Sequence, residues 1–159
     1  MPAITIGQEA HDFSAKTNSG REVKLPDFRG KKHVVLIMYP GDQTGDCTCQ
    51  LCAFRDEFPR FEDADIEILG VNPAEAESHQ KFIDRNGFLF DLIVDTGREI
   101  ARLYDSVMLM GFVVKRTVIA INRSGKIAFF KRGYPTNDEI LEALLKSESP
   151  IPVAEGQPG

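Results

Sequence analysis

The apolar run His33-Val-Val-Leu-Ile-Met38 breaks at Tyr39-Pro-Gly-Asp42, and helix-forming residues take over from about position 48. An unbroken apolar run ended by turn residues predicts a strand covered on both faces, then a loop, then a helix. Residues 12–17 and 21–25 flank the turn residues Asn18-Ser-Gly20 and predict a hairpin, and residues 26–30 read as a loop or a single helical turn. Pro59 marks the end of the first helix or a kink in it. Residues 66–71 predict a strand. Asn72 then reads as a cap, with Pro73 at the first position of a helix running to Arg85 and stopping at Asn86-Gly87. Residues 90–94 predict a short strand and residues 98–104 a helix, while 108–114 is apolar but interrupted by Gly111 and predicts no element. Residues 115–122 and 127–132 form a second hairpin around the turn 123–126. Thr136-Asn-Asp-Glu139 has capping-box spacing and opens a helix to about Lys146.

This alternation predicts an α/β fold with a mixed central sheet flanked by helices. The element order is similar to that of the thioredoxin fold carrying an N-terminal β-hairpin extension. Residues 1–146 are expected to form one domain. Residues 147–159, rich in Ser, Pro, Gly and Glu, are expected to be a flexible tail.

Composition narrows the function by exclusion. The chain of 159 residues is 42% hydrophobic and 27% charged, an ordinary soluble composition. A net charge of −5 argues against nucleic-acid binding, which needs clustered Lys and Arg, and the short run Arg29-Gly-Lys-Lys-His33 reads as a solvated lead-in to a strand. No apolar run approaches the ~20 residues that span a bilayer, and the first ten residues lack a signal-peptide pattern. A cytoplasmic location is expected, where thiols stay reduced and clustered cysteines point to redox or metal chemistry.

All three cysteines, Cys47, Cys49 and Cys52, fall within six residues just after the apolar strand. A thiol in the first helical turn meets unpaired backbone N–H groups and the positive end of the helix dipole, both of which favour thiolate. With Thr44 as N-cap, Gly45, Asp46 and Cys47 become the first three helical positions. Cys47 and Cys52 lie five apart, which in an intact helix separates their Cα atoms by roughly 8–9 Å. A disulfide tolerates at most about 7 Å, so bridging those two requires the helix to open. Three chemistries compete: peroxide reduction starting at Cys47, thiol–disulfide exchange through Cys49-Gln-Leu-Cys52, and a zinc site completed by His11, His33 or His79. Zinc is disfavoured, since structural sites combine separated ligand pairs.

The segment Pro40-x-x-x-Thr44-x-x-Cys47 resembles the active-site motif of peroxiredoxins. Cys52 followed by Ala-Phe-Arg-Asp56 is similar to the Q-type, bacterioferritin-comigratory branch, and the likeness runs from about Ala10 to Lys146. Arg116, six residues before Asn122, falls where that family carries its active-site arginine. The resemblance implies a thiol peroxidase acting on hydrogen peroxide and organic hydroperoxides. In it Cys47 attacks peroxide, Thr44 and Arg116 hold peroxide and thiolate, Pro40 shields the sulfur, and Cys52 resolves the sulfenic acid to an intramolecular disulfide. It also implies a thioredoxin-like reductant, no metal or organic cofactor, and a monomer, with a dimer as the alternative; charge and hydropathy argue against membrane and nucleic-acid partners. The family commonly has Pro-Gly between threonine and cysteine, where this chain has Gly45-Asp46; this loosens the turn and places a carboxylate beside the thiolate. Cys49 is additional to the pattern, and a disulfide oxidoreductase using Cys49 and Cys52 is the alternative function.

Overall fold

The computed structural model of the chain describes residues 4–42 and 45–148, and for Asp46, Cys47 and Glu148 the backbone alone. Five strands form the main sheet: β3 (His33–Met38), β4 (Ile66–Asn72), β5 (Asp91–Val94), β8 (Thr117–Ile121) and β9 (Ile127–Arg132), in the spatial order β5-β4-β3-β8-β9. β3, β4 and β5 run parallel, while β8 and β9 add antiparallel pairs, so the sheet is mixed as predicted.

The sequence of β3 explains its central place. All six of its residues are buried, and their side chains alternate between two cores. Val34, Leu36 and Met38 face one core with Ile100 and Ala101 of α4 (Glu99–Leu103) and with the N-terminal hairpin, β1 (Ser14–Lys16) and β2 (Glu22–Lys24). Val35, Ile37 and Tyr39 face the other, which is roofed by four helices. These are α1 (Gly45–Asp56), α2 (Phe58–Asp63), α3 (Ala76–Asn86) and α5 (Asn137–Glu148), and they contribute Leu51, Phe54, Phe61, Phe82, Ile140 and Leu144. α1 thus starts at the carboxyl end of a central strand, where open α/β sheets build their sites.

Most predicted boundaries hold. The hairpins pair as expected, residues 25–28 form the single turn (a 3-10 turn), and Pro59 sits in the first turn of α2. The capping box of α5 is made in both directions: the Glu139 amide donates to Thr136 Oγ1 (3.1 Å) and the Thr136 amide to Glu139 Oε2 (2.8 Å). Gly87 closes α3 in the left-handed region at φ 66°.

Three details differ. α3 begins at Ala76 rather than Pro73, because Asn72 is the last residue of β4 and its side chain is used elsewhere: Nδ2 donates to the Tyr39 carbonyl (2.8 Å) and Oδ1 accepts from the Ala74 amide (2.8 Å). The unassigned stretch holds two very short strands, β6 (Val107–Met108) and β7 (Val113–Val114), joined through Leu109, Met110 and Gly111, all at positive φ. α5 reaches Glu148, two residues into the expected tail, whose remaining residues lie outside the described ones.

Candidate active site

α1 starts at Gly45, which places Cys47 third in the helix, Cys49 fifth and Cys52 eighth. Thr44, the expected N-cap and peroxide-binding residue, lies outside the described residues. Cys49 is exposed and Cys52 half-buried, and both are free thiols. Being fifth, Cys49 is past the first turn, where backbone N–H groups are unpaired and the dipole is felt. That separates it from the position a leading redox cysteine occupies. Pro40 is exposed, two residues after the end of β3 and seven residues before Cys47.

Arg116 lies in the link between β7 and β8, one residue before the strand that was expected to contain it. Its Nη1 donates to Gln50 Oε1 at 2.7 Å, and its guanidinium stacks over the Tyr134 ring, 4.8 Å from the centroid. Gln50 is buried and sits one helical turn after Cys47; its Nε2 donates in turn to the Gly133 carbonyl (3.2 Å). The Gly133 amide donates to the Arg116 carbonyl (3.0 Å), closing the loop of contacts. The amide of Gln50 orients the guanidinium without cancelling its charge through this contact. Arg116 is thereby joined to α1 at Gln50, three residues after Cys47.

Upstream of the helix, Asp42 is gripped from three sides. Oδ1 accepts from the Tyr39 hydroxyl (2.7 Å), and Oδ2 accepts from Ser78 Oγ (2.7 Å) and meets His79 Nδ1 (2.7 Å). Burial pushes the Asp42 carboxyl up, but the hydrogen bonds from His79, Tyr39 and Ser78, with the charge of His79, outweigh it and hold it below the ordinary carboxylate value.

The chain matches the AhpC/TSA family over residues 6–130. It is 36% identical over 149 residues to peroxiredoxin Bcp of Bacillus subtilis (strain 168), covering 89% of this chain and 93% of that protein. It is 33% identical over 144 residues to chloroplastic peroxiredoxin Q of Sedum lineare, covering 90% of this chain and 77% of that one. This chain belongs to the AhpC/TSA peroxiredoxin family. It is a thiol peroxidase of the Bcp and peroxiredoxin Q type. Among solved structures, peroxidoxin BcpB of Mycobacterium tuberculosis superposes with a TM-score of 0.83 at 24% identity, over 92% of this chain and 99% of that chain, which shows the shared thioredoxin-like fold.

Within this peroxiredoxin, three residues of the constellation escaped sequence reasoning. Gln50 carried only a weak signal, its spacing of one turn from Cys47. Asp42 and His79 carried none, being an aspartate in a turn and a histidine on a helix 37 residues later. Arg55 follows the cysteines on α1 and braces it: Nη1 donates to the Asn86 carbonyl at the end of α3 (2.6 Å) and Nε to Asp56 Oδ1 (2.9 Å). Arg132 ties the β8 start in place, with Nη1 donating to Thr117 Oγ1 (2.8 Å) and Ser106 Oγ (3.1 Å).

The histidines considered as zinc ligands are engaged separately. His33 contacts Arg123, His79 contacts Asp42, and His11 packs against Tyr104. Among the described residues no group of three His, Cys, Asp or Glu side chains is placed to hold a metal. Among the same residues no helix is long and apolar enough to cross a membrane.

Proposed function

We propose that Cys47 is the peroxide-attacking residue, Cys52 its resolving partner, and Thr44, Arg116 and Pro40 the groups that assemble the peroxide site. The observation that carries this assignment is the junction of Arg116 with Gln50 one turn after Cys47. The Cys47 thiolate attacks the nearer peroxide oxygen; the S–O bond forms, the O–O bond breaks, and the leaving alkoxide or hydroxide takes a proton as alcohol or water. The guanidinium of Arg116 and the N–H groups at the start of α1 stabilise thiolate and leaving oxygen, Thr44 orients the peroxide, and Pro40 keeps water off the sulfur.

Cys52 thiolate then attacks the Cys47 sulfenic sulfur, forming the disulfide and releasing hydroxide. Since five helical positions separate them, the first turns of α1 unwind for this step. A thioredoxin-like dithiol reduces the disulfide by two exchanges and leaves oxidised itself. No metal or organic cofactor enters these steps. Hydrogen peroxide and organic hydroperoxides are the substrates. The protein acts in the cytoplasm, residues 1–146 form one domain, and intramolecular resolution favours a monomer. Replacing Cys47 with Ser tests the assignment: peroxide consumption is expected to vanish, and retained turnover would overturn it.

A further inference from the structure

We infer that Asp42 and His79 form a buried clamp that positions the loop before α1, so that unwinding for disulfide formation starts beyond Asp42 and the peroxide site re-forms from a fixed point. This rests on the roles of Cys47 and Cys52 proposed above. Asp42 and His79 are positioning residues.

The side chains involved are among the most enclosed in the molecule: that of His79 is fully buried and that of Asp42 is 3% exposed. They belong to separate elements, yet every polar atom between them is used. Nδ1 of His79 meets Asp42 Oδ2 at 2.7 Å, while Nε2 meets the Ile93 carbonyl at 2.9 Å and the Asn72 carbonyl at 3.3 Å. Both ring nitrogens thus face oxygen atoms, and the ring is held from both sides. Ser78 donates a second hydrogen bond to Oδ2, and Tyr39 donates one to Oδ1. Removing one partner of such a buried charged pair leaves the other unsatisfied, so the cluster holds together or fails as a unit.

Its anchors do not move with α1. Tyr39 directly follows the central strand and has its carbonyl tied to Asn72 of β4, Ser78 and His79 lie in the first turn of α3, and Ile93 is in β5. The clamp therefore fastens the loop to three sheet strands and a helix other than the one that must open. Cys47 lies only five positions after Asp42, a reach of at most ~18 Å even fully extended. With Asp42 fixed, Pro40 stays in place through the cycle and the helix start has one point from which to rewind. Release of Asp42 lets the loop join the unwound ensemble. That depletes the conformation that attacks peroxide and enriches the one that forms the disulfide.

The two chemical steps of Asp42→Asn can be followed separately by rapid quench and peptide mass mapping: oxidation of Cys47 by peroxide, then closure of the Cys47–Cys52 disulfide. The amide keeps the shape but loses the charge and turns a donor toward His79 or Tyr39. Cys47 oxidation is expected to slow about tenfold. Disulfide closure should be unchanged or faster, and the fraction of Cys47 driven to sulfinic acid at high peroxide should fall about threefold. A purely structural role would lower the active fraction and leave both rate constants alone. That result, or an equal slowing of both steps, overturns the clamp. If Asp42→Asn does not fold, Ser78→Ala removes one hydrogen bond from the same carboxylate and should shift the two steps in the same opposed sense by about threefold, parallel shifts again overturning it. Wild-type protein that forms no Cys47–Cys52 disulfide overturns the underlying assignment instead, and is distinguished by needing no variant.

Discussion

The Arg116 guanidinium donates to the Gln50 side-chain oxygen at 2.7 Å, joining the lead-in of β8 to the helix that carries the cysteines across 66 residues of sequence. The contact is planar group to planar group, and Tyr134 covers the guanidinium from the side. Arg116→Ala should reduce the second-order rate with peroxide by about 100-fold or more, the scale of losing a charge-stabilising donor. Arg116→Lys is expected to recover little, since an ammonium cannot reproduce the fork. Gln50→Ala keeps the charge but frees it from its guide, and a loss of about tenfold is expected. Stopped-flow peroxide consumption under single-turnover conditions checks all three.

The three thiols should separate cleanly by variant. Cys52→Ser is expected to accumulate Cys47 as sulfenic acid, trappable by a dimedone-type reagent, with no intramolecular disulfide and no turnover with a dithiol reductant. Cys49→Ser touches an exposed side chain beside a cleft of about 260 Å³ lined by Tyr134, Thr136 and Asn137, and should leave turnover within about twofold. If Cys49→Ser abolishes turnover while the protein still reduces insulin-type disulfides without peroxide, the oxidoreductase reading through Cys49 and Cys52 takes precedence.

Elements whose stability is decided locally were legible in the sequence. The six apolar residues of β3, the reciprocal cap of Thr136 and Glu139, and Gly87 at the end of α3 each behave as their own neighbourhood dictates. Asn72 shows where this stops. Its sequence context is that of a helix cap, but a tertiary acceptor, the Tyr39 carbonyl, claims its amide and the helix starts four residues later. Residues 107–114 were illegible because the strands are two residues each and their connection uses three positive-φ positions, two of them non-glycine. The proposed site residues Cys47, Cys52 and Arg116 come from the likeness of the motif and its spacing to the family pattern. Gln50 and the Asp42–His79 pair were not legible, because their meaning lies in partners 66 and 37 residues distant.

Gly70 of β4 lies beneath the ring of Tyr39, and a Cβ there would come within 2.5 Å of Leu92 Cδ2 and 3.2 Å of Tyr39 Cε1. Gly70→Ala must push Leu92 aside and crowd the ring whose hydroxyl holds Asp42. A destabilisation of about 1–3 kcal/mol is expected, as for other overpacked cores. Because Tyr39 is displaced along with Leu92, the variant should also lose peroxide rate beyond its loss of folded fraction. Urea titration and initial rates on the same sample check this together.

Acid should weaken the fold in part through Asp42. The carboxyl is held below its ordinary value of 3.8 in the folded chain, so the unfolded chain binds protons more readily near that pH. The stabilisation is therefore fully present above the ordinary value and is lost as pH falls through the lower, folded one. Glu139, held at about 2 by the hydrogen bond from Lys131 and those of the Thr136 cap, contributes in the same sense over the window between its ordinary value of 4.5 and about 2. Between pH 7 and 5 neither group changes charge, and their share of stability should be flat. Below about pH 4 the urea midpoint of the wild type should fall steadily. In Asp42→Asn the midpoint should start lower at neutral pH and fall less steeply below pH 4, while Glu139→Gln should flatten the same limb without touching the peroxide rate. An acid limb of equal slope in wild type and Asp42→Asn would show that folding does not lower the Asp42 carboxyl below its ordinary value.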